Sequence, residues 1–502
     1  MDFLDPKKER YNELKLLVGY VLVAVAIVIA TILLLYRAYG YNVSQDGQVT
    51  QNGIVFVSSQ PSDATIHLNG KQYKSNTNAR VIIPSGNYLL QVAKSGYLLW
   101  QRHISVNGGD VQHFDYPFLI PRTLQTSNLS ELAADPSMAT ESPDKRWLLL
   151  GQAEASGSFT LYDVKNPKKP VATTITLPDG TFKTGESDGA QSWSLVEWAT
   201  DNRHVLLLHT YVLKGVDTRE YIVLDRADPT ASLNLTDSLH LSQMQTVSLF
   251  DNRISQFYVY DKADNSLRRV DSDGQEQSRL EHVLAFKTYA DDKILYVTDQ
   301  PPVGKTAAGT VTAVLLDGGR STSLRALPAG AAHYSLDIAQ YDGDWYVLAA
   351  ADNDNAAYIY KNPGSETPGA DAFVAPYRRL PLKNPGSMLF SNNTQYVVAE
   401  SGQDFITYDL ENLMQYRYHA TEPLDAPQTH ATWMDGNRLL YVSGGKLVMF
   451  DYDYLNKHNL VPASANYLPF FSADYTYLYT LVPAKGDAKP ALTTTPLTIK
   501  QQ

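Results

Sequence analysis

Side chains able to do chemistry are plentiful in this 502-residue chain but seldom grouped. Cysteine is absent, which removes thiolate nucleophiles, disulfides and cysteine metal sites together. A serine nucleophile of the hydrolase kind would sit in a Gly-x-Ser-x-Gly elbow, and the chain has none; the stretch after the last repeat also leaves no room for a hydrolase domain. No His-Glu-x-x-His zinc helix occurs. The histidines are scattered. His103, His113, His333 and His430 lack ligand spacing, and His204 and His209 fall on opposite faces of one strand because their spacing is odd. Gly304-Lys305-Thr306 ends like a phosphate loop, but Asp299 stands in the place of its first glycine, so the segment reads as a Pro-flanked loop. Asp271-Ser272-Asp273-Gly274 with Glu276 begins like a calcium loop and lacks the closing bidentate glutamate. Asp352-Asn353-Asp354-Asn355 offers oxygens without a fixed frame. Both acidic clusters read as inter-strand turns, where Asp, Asn and Gly serve the backbone. Asp144, Asp201, Asp251, Asp435 and Asp474 recur at matching places, and that repetition implies a structural turn role. No catalytic, cofactor-binding or metal-binding residue is therefore assigned, and the chain reads as a non-enzyme.

What must position these residues begins with an apolar run. Leu16 to Tyr36 has about the ~20 apolar residues needed to cross a bilayer as a helix. Lys7, Lys8, Arg10 and Lys15 precede it and only Arg37 follows closely. The positive-inside rule then places residues 1–15 in the cytoplasm and the rest outside. Tyr20, Tyr36, Tyr39 and Tyr41 suit the two interfaces. A cleaved signal peptide is the alternative, but its core is shorter, typically ~7–15 residues with a small-x-small exit, and Tyr36-Arg37-Ala38-Tyr39 offers none. Gly19 and Ala24 make a poor helix-pairing motif.

The net charge of −11 argues against nucleic acid as a partner and against docking on anionic lipid. The 33 tyrosines and short Val-, Leu-, Ile- and Phe-rich runs are a strand vocabulary, so the fold expected after the helix is all-β. Residues 37–53 read as a polar linker. Residues 54–120 then show strands split by Pro61-Ser62-Asp63, Asn69-Gly70, Pro84-Ser85-Gly86-Asn87, Ser95-Gly96 and Asn107-Gly108-Gly109-Asp110. This stretch resembles a PEGA domain, a small extracytoplasmic β-sandwich. Pro61-Ser62-Asp63-Ala64 stands at the eponymous motif, with Asp63 where the family has glycine. Leu68-Asn69-Gly70 resembles the following hairpin, Ile83 to Tyr88 the Pro-x-Gly-x-Tyr turn, and Lys94-Ser95-Gly96-Tyr97 the Gly-Tyr step. The resemblance implies a structural or binding module without catalytic residues and a bacterial source, in which the triplets at Asn42, Asn128, Asn234 and Asn392 would not be glycosylated. Trp100 reads as core filling rather than a ligand platform.

From about Met138 onward one pattern recurs every ~40–57 residues, in the range of solenoids and propellers. An apolar strand meets an Asp- or Asn-centred turn, then two further strands follow. The turns are SPDKR (142–146), ATDNR (199–203), LFDNR (249–253), YADDK (289–293), YDGDW (341–345), SNNTQ (391–395), MDGNR (434–438) and SADYT (472–476). Four short strands per repeat imply a β-propeller over 122–502. Eight turns imply eight blades, with seven the alternative if the compressed repeat at 244–280 is an insertion. The last repeat lacks a fourth strand, and residues 122–129 read as the spare strand that completes it and closes the ring. The SPDKR turn is similar to the Ser-Pro-Asp-Gly-Lys turn of TolB-like and WD40-like propellers.

Three functional readings follow. The first is a membrane-anchored, non-enzymatic binding or scaffold protein of the cell envelope that docks a protein or cell-wall glycan on its propeller loops, with candidates near 181–192, 300–310 and 362–376. The second is a glycan-active enzyme with its site in the propeller channel. The third is a purely structural envelope spacer. No cofactor is implied.

Overall fold

The computed structural model describes residues 6–38, 41–43, 49–152, 156–185, 191–289, 293–300, 308–364, 373–428, 430–486 and 488–499. Much of the three loops named above (186–190, 301–307 and 365–372), the centre of the YADDK turn (290–292), Gly304-Lys305-Thr306 and the Asn42 triplet's Ser44 lie outside the described residues. The chain forms two compact units, residues 1–123 with 499–502, and residues 124–498.

In the first unit a helix, α1, runs Pro6–Ala38. It starts well ahead of the expected 16–36 span, with proline at its first position, where the missing N–H costs nothing. The segment Glu13–Tyr36 is apolar, long enough to cross a bilayer and wholly unburied, as a signal anchor or a signal sequence would be.

Two four-stranded sheets follow in this unit. One holds Tyr41–Val43, Val49–Val57, Ala79–Pro84 and Val111–Phe114; the other holds Thr65–Leu68, Lys71–Asn76, Gly86–Ala93 and Trp100–Val106. The expected linker at 37–53 is thus corrected, because it contains one short strand and the start of a second. Val49–Val57 is drawn into the sheet because it has partners on both sides, antiparallel to Ala79–Pro84 and parallel to Val111–Phe114. The sheets share one core. Val55, Val57 and Val81 of one pack with Ile66, Leu90, Val92, Trp100 and Ile104 of the other. Trp100–Val106 alternates strictly between buried and exposed, the period-two pattern of a half-buried strand. Trp100 is 2% exposed and fills that core, as the sequence implied. Asp63 takes φ 58°, the left-handed conformation that glycine adopts freely, so it meets the turn's geometry without being glycine. At Gly53 a Cβ would come within 2.3 Å of Val106 Cγ1 and 2.8 Å of Asn107 O, so the close approach of these strands requires glycine.

The second unit contains eight four-stranded antiparallel sheets in chain order, a succession consistent with propeller blades. Their first strands are Met138–Glu141, Ser192–Trp198, Gln245–Phe250, Val283–Tyr289, Tyr334–Tyr341, Ser387–Phe390, Thr432–Trp433 and Phe470–Phe471. Each of the first seven sheets is one continuous stretch of chain. The third spans the compressed repeat and has all four strands. The eighth takes its fourth strand from Ser127–Glu131, which pairs antiparallel with Ala491–Pro496. The completing strand was expected at 122–129 and lies later. Arg122 is held elsewhere, its backbone N–H and its Nε donating to Gly96 O and Tyr97 O at 2.8 and 3.0 Å.

Five of the recurring turns are built alike, while LFDNR and YDGDW are two-residue hairpins. In SPDKR, Asp144 accepts from Arg146 N at 3.1 Å, Lys145 takes φ 56°, and Ser142 N donates to Trp147 O at 2.8 Å. Asp201, Asp435 and Asp474 accept the corresponding N–H groups of Arg203, Asn437 and Thr476, and Asn393 does the same for Gln395. Asn202, Asn252, Thr394 and Tyr475 share the positive φ of Lys145. Asp144, Asp201, Asp435 and Asp474 are side-chain caps for a strand reversal, whereas Asp251 itself takes φ 50° at the tip of a hairpin in which Phe250 pairs with Arg253.

Trp100→Ala should cost the sandwich about 3–5 kcal/mol. Scanning calorimetry of the full chain should then show an early transition separate from that of the larger unit. An unshifted profile would mean that the ring does not hold this core together.

Candidate functional site

The first strand of each sheet in the second unit is an edge strand, and its outward N–H groups need acceptors. Carboxylates supply them across four seams, three of them half-buried and Glu400 fully buried. Glu141 Oε2 accepts from Phe471 N at 3.3 Å, joining the first and eighth sheets. Glu197 accepts from Leu249 N across the second and third. Asp337 Oδ2 accepts from Phe390 N at 3.4 Å across the fifth and sixth. Glu400 Oε2 accepts from Ala431 N at 2.9 Å across the sixth and seventh. Hydroxyls add to this: Trp198 Nε1 donates to Thr140 Oγ1 at 3.0 Å, and Met388 N donates to Ser335 Oγ at 2.8 Å. Burial raises the pKa of all four carboxyls. Lys145, 2.9 Å from Glu141, opposes that rise, as Lys287, 3.9 Å from Asp337, does there.

Glu400 differs from the other three. It is 2% exposed, has no cation to offset burial, and its pKa is pushed up to about 8. Its Oε1 has no hydrogen-bond partner among the described residues. His430, the residue before Ala431 in the chain, also has its Nδ1 buried without a hydrogen-bond partner among the described residues, and burial, with a smaller push from His333, lowers the His430 pKa. Burial thus pushes the Glu400 carboxyl and the His430 imidazole each toward its neutral form.

A second buried pair lies in the second sheet. His209 Nδ1 is 2.9 Å from Glu220 Oε1, and both residues are almost fully enclosed. Lys183 N and Asn234 Nδ2 complete the Glu220 carboxylate at 2.8 Å each, and the imidazole stacks on Trp193 at 4.3 Å. His204 instead meets Asp201 at 2.5 Å, so the two histidines do occupy different surroundings. The acidic clusters serve turns. Asp271 Oδ1 accepts from Asp273 N and Gln275 N at 3.1 and 2.8 Å, and Asp352 accepts from Ala332 N and His333 N at 3.1 and 2.9 Å. Among the described residues no group of three or more His, Asp or Glu side chains is placed to hold a metal ion.

A pocket of about 400 Å³ lies in the seam between the fourth and fifth sheets. Leu315, Ile338 and Val347 give it an apolar floor, and Trp345 forms a wall. Lys293 Nζ sits 4.7 Å over the Trp345 ring and 2.8 Å from Asp317 Oδ1. Nothing in the sequence pattern marked this pocket, because its residues come from separate repeats.

A carboxyl whose folded pKa lies above its unfolded value stabilises the fold at low pH, and that stability is lost as pH rises through the folded pKa. For Glu400 the loss should run from about pH 4.5 to about 8. Melting temperature measured against pH should therefore fall more steeply over this window in the wild type than in Glu400→Gln. Parallel profiles would show that Glu400 is ionised throughout.

Residues 52–120 match the PEGA domain model. No curated protein matches the chain in sequence. Among solved structures, it is similar to dihydro-heme d1 dehydrogenase NirN in complex with DHE, at 16% identity and a TM-score of 0.40, over 65% of this chain and 66% of that one. It is similar to an oligogalacturonate lyase in complex with manganese, at 12% identity and a TM-score of 0.38, over 75% and 98% of the two chains. It is similar to Porphyromonas gingivalis dipeptidyl peptidase 4, at 13% identity and a TM-score of 0.43, over 74% and 60%. The chain thus spans just under two thirds of the NirN chain and less of the peptidase. An N-terminal apolar helix, a PEGA domain over 52–120 and a β-propeller-like region of four-stranded sheets make up this protein.

Proposed function

We propose that this is a membrane-anchored, extracytoplasmic binding or scaffold protein of the cell envelope, whose propeller presents a docking surface to a protein or cell-wall glycan. The observation that carries the reading is the Glu13–Tyr36 stretch of α1: it is apolar, long enough to cross a bilayer and unburied, which supports a membrane anchor. The cations ahead of the span orient the N-terminus to the cytoplasm. We read the eight sheets as eight blades. Support comes from cores shared by neighbouring sheets, as between the fourth and fifth, and from the eighth sheet, which reaches the first through Phe470, Leu148 and Leu150. Completion of the eighth sheet by Ser127–Glu131 supports ring closure.

Glu400 favours one second reading, a glycan-active enzyme. Its carboxyl is buried and pushed toward the neutral form, with one oxygen unpartnered among the described residues, which suits it to protonating a leaving group. A glycan-release screen in which wild type is active and Glu400→Gln is not would favour this reading over pure binding.

The cysteine-free sequence makes the topology directly testable. Lys214→Cys, at an exposed hairpin tip, should react with a membrane-impermeant maleimide in intact cells, or in spheroplasts if an outer membrane intervenes, whereas Lys8→Cys should react only after the inner membrane is permeabilised. The opposite pattern would overturn the orientation. Cross-linking of the full-length chain in native cells should then join the propeller to one recurrent protein or to wall polymer. Recovery of neither would sink the docking role.

A further inference from the structure

The pocket between the fourth and fifth sheets has a charge arrangement that selects a ligand class. It is walled on one side by the end of Thr310–Asp317 and the start of Arg320–Pro328, strands joined by the turn Asp317-Gly318-Gly319-Arg320. Asp317 and Arg320 face each other across that turn in register. The Asp317 carboxylate is nevertheless engaged by Lys293 Nζ, at 2.8 Å. Arg320, exposed at the pocket rim, has no ion-pair partner among the described residues. Lys293 and Asp317 cancel, and one guanidinium is left over in a chain whose net charge is −11. Below it lie side chains that are almost fully buried, Leu315, Ile338 and Val347, with the half-buried Trp345 beside them. All belong to strands whose backbones are fixed by ladders, so the cavity is formed before any ligand arrives.

We propose that this pocket binds a small organic acid, an apolar body carrying one carboxylate, and this deepens the binding reading above by naming what one docking site recognises. The guanidinium fork of Arg320 matches a planar carboxylate with two parallel hydrogen bonds. The apolar floor takes the body out of water. A phosphate is disfavoured, because a second negative charge would face Asp317 with no second free cation to meet it. A neutral aromatic gains the floor and leaves the guanidinium unused. The cavity volume, about 400 Å³, lies at the low end of the range for drug-sized ligands (~300–1,000 Å³) and admits one ring with a short arm.

The test uses the detergent-solubilised full-length chain and ligand-observed NMR titration with 3-phenylpropionate, set against its amide. Saturable binding of the acid, at least ten-fold tighter than the amide, is expected. Arg320→Gln should weaken the acid ten-fold or more and leave the amide unchanged, with Arg320→Lys in between. Asp317→Asn frees Lys293 and should tighten the acid several-fold, a gain that misfolding could not produce. No saturable binding, equal affinity for acid and amide, or indifference to both substitutions would overturn the proposal. The titration reads the pocket alone, so its failure would leave the anchor and envelope role to be judged by labelling and cross-linking.

Discussion

A four-stranded sheet has two edges, and every edge carries backbone N–H and C=O groups that must find partners. The larger unit of this protein is organised by that requirement. Its first-strand edges meet carboxylates and hydroxyls from neighbouring sheets: Glu141, Glu197, Asp337 and Glu400 accept backbone N–H groups, and Thr140 and Ser335 add hydroxyl bonds. The last sheet would lack a fourth strand if built from its own repeat alone, and Ser127–Glu131 supplies one from the other end of the unit. The seams between sheets are therefore held by a mixture of apolar packing and charge-assisted hydrogen bonds.

The same bonds create the chemistry. A carboxylate drawn into a seam loses water, and burial raises its pKa. Where a lysine accompanies it, as Lys145 does Glu141, the group stays a structural clasp. At Glu400 no cation offsets the burial, and the residue becomes the one clasp that also has an unused oxygen. The pocket between the fourth and fifth sheets shows the converse. Lys293 neutralises Asp317, and Arg320 is the charge left over.

The smaller unit stands between an apolar helix and the propeller-like region in the chain. Its stability rests on a core shared by two short sheets, in which Trp100 supplies the largest fully buried side chain. With no disulfide available, that packing and the close strand approach at Gly53 do the work that cross-links do in many small extracellular domains.

The sequence by itself determined whatever depends on local periodicity and turn chemistry. The apolar run around Leu16–Tyr36, the alternation in Trp100–Val106, the motifs of residues 52–120 and the recurring Asp-centred turns were all legible, because each is written within a few neighbouring residues. Even the missing fourth strand could be inferred from strand count, although its register could not, since only pairing with Ala491–Pro496 places it at 127–131. The strands within 37–53 were hidden in a polar segment, where partners rather than composition decide. Tertiary structure alone decided the sites. Glu400 and the Ala431 N–H it accepts come from neighbouring repeats, His209 and Glu220 from facing strands, and Lys293, Arg320 and Trp345 from two repeats. Their pKa shifts and leftover charges arise from which side chains burial brings together, and spacing along a chain of short strands does not encode that.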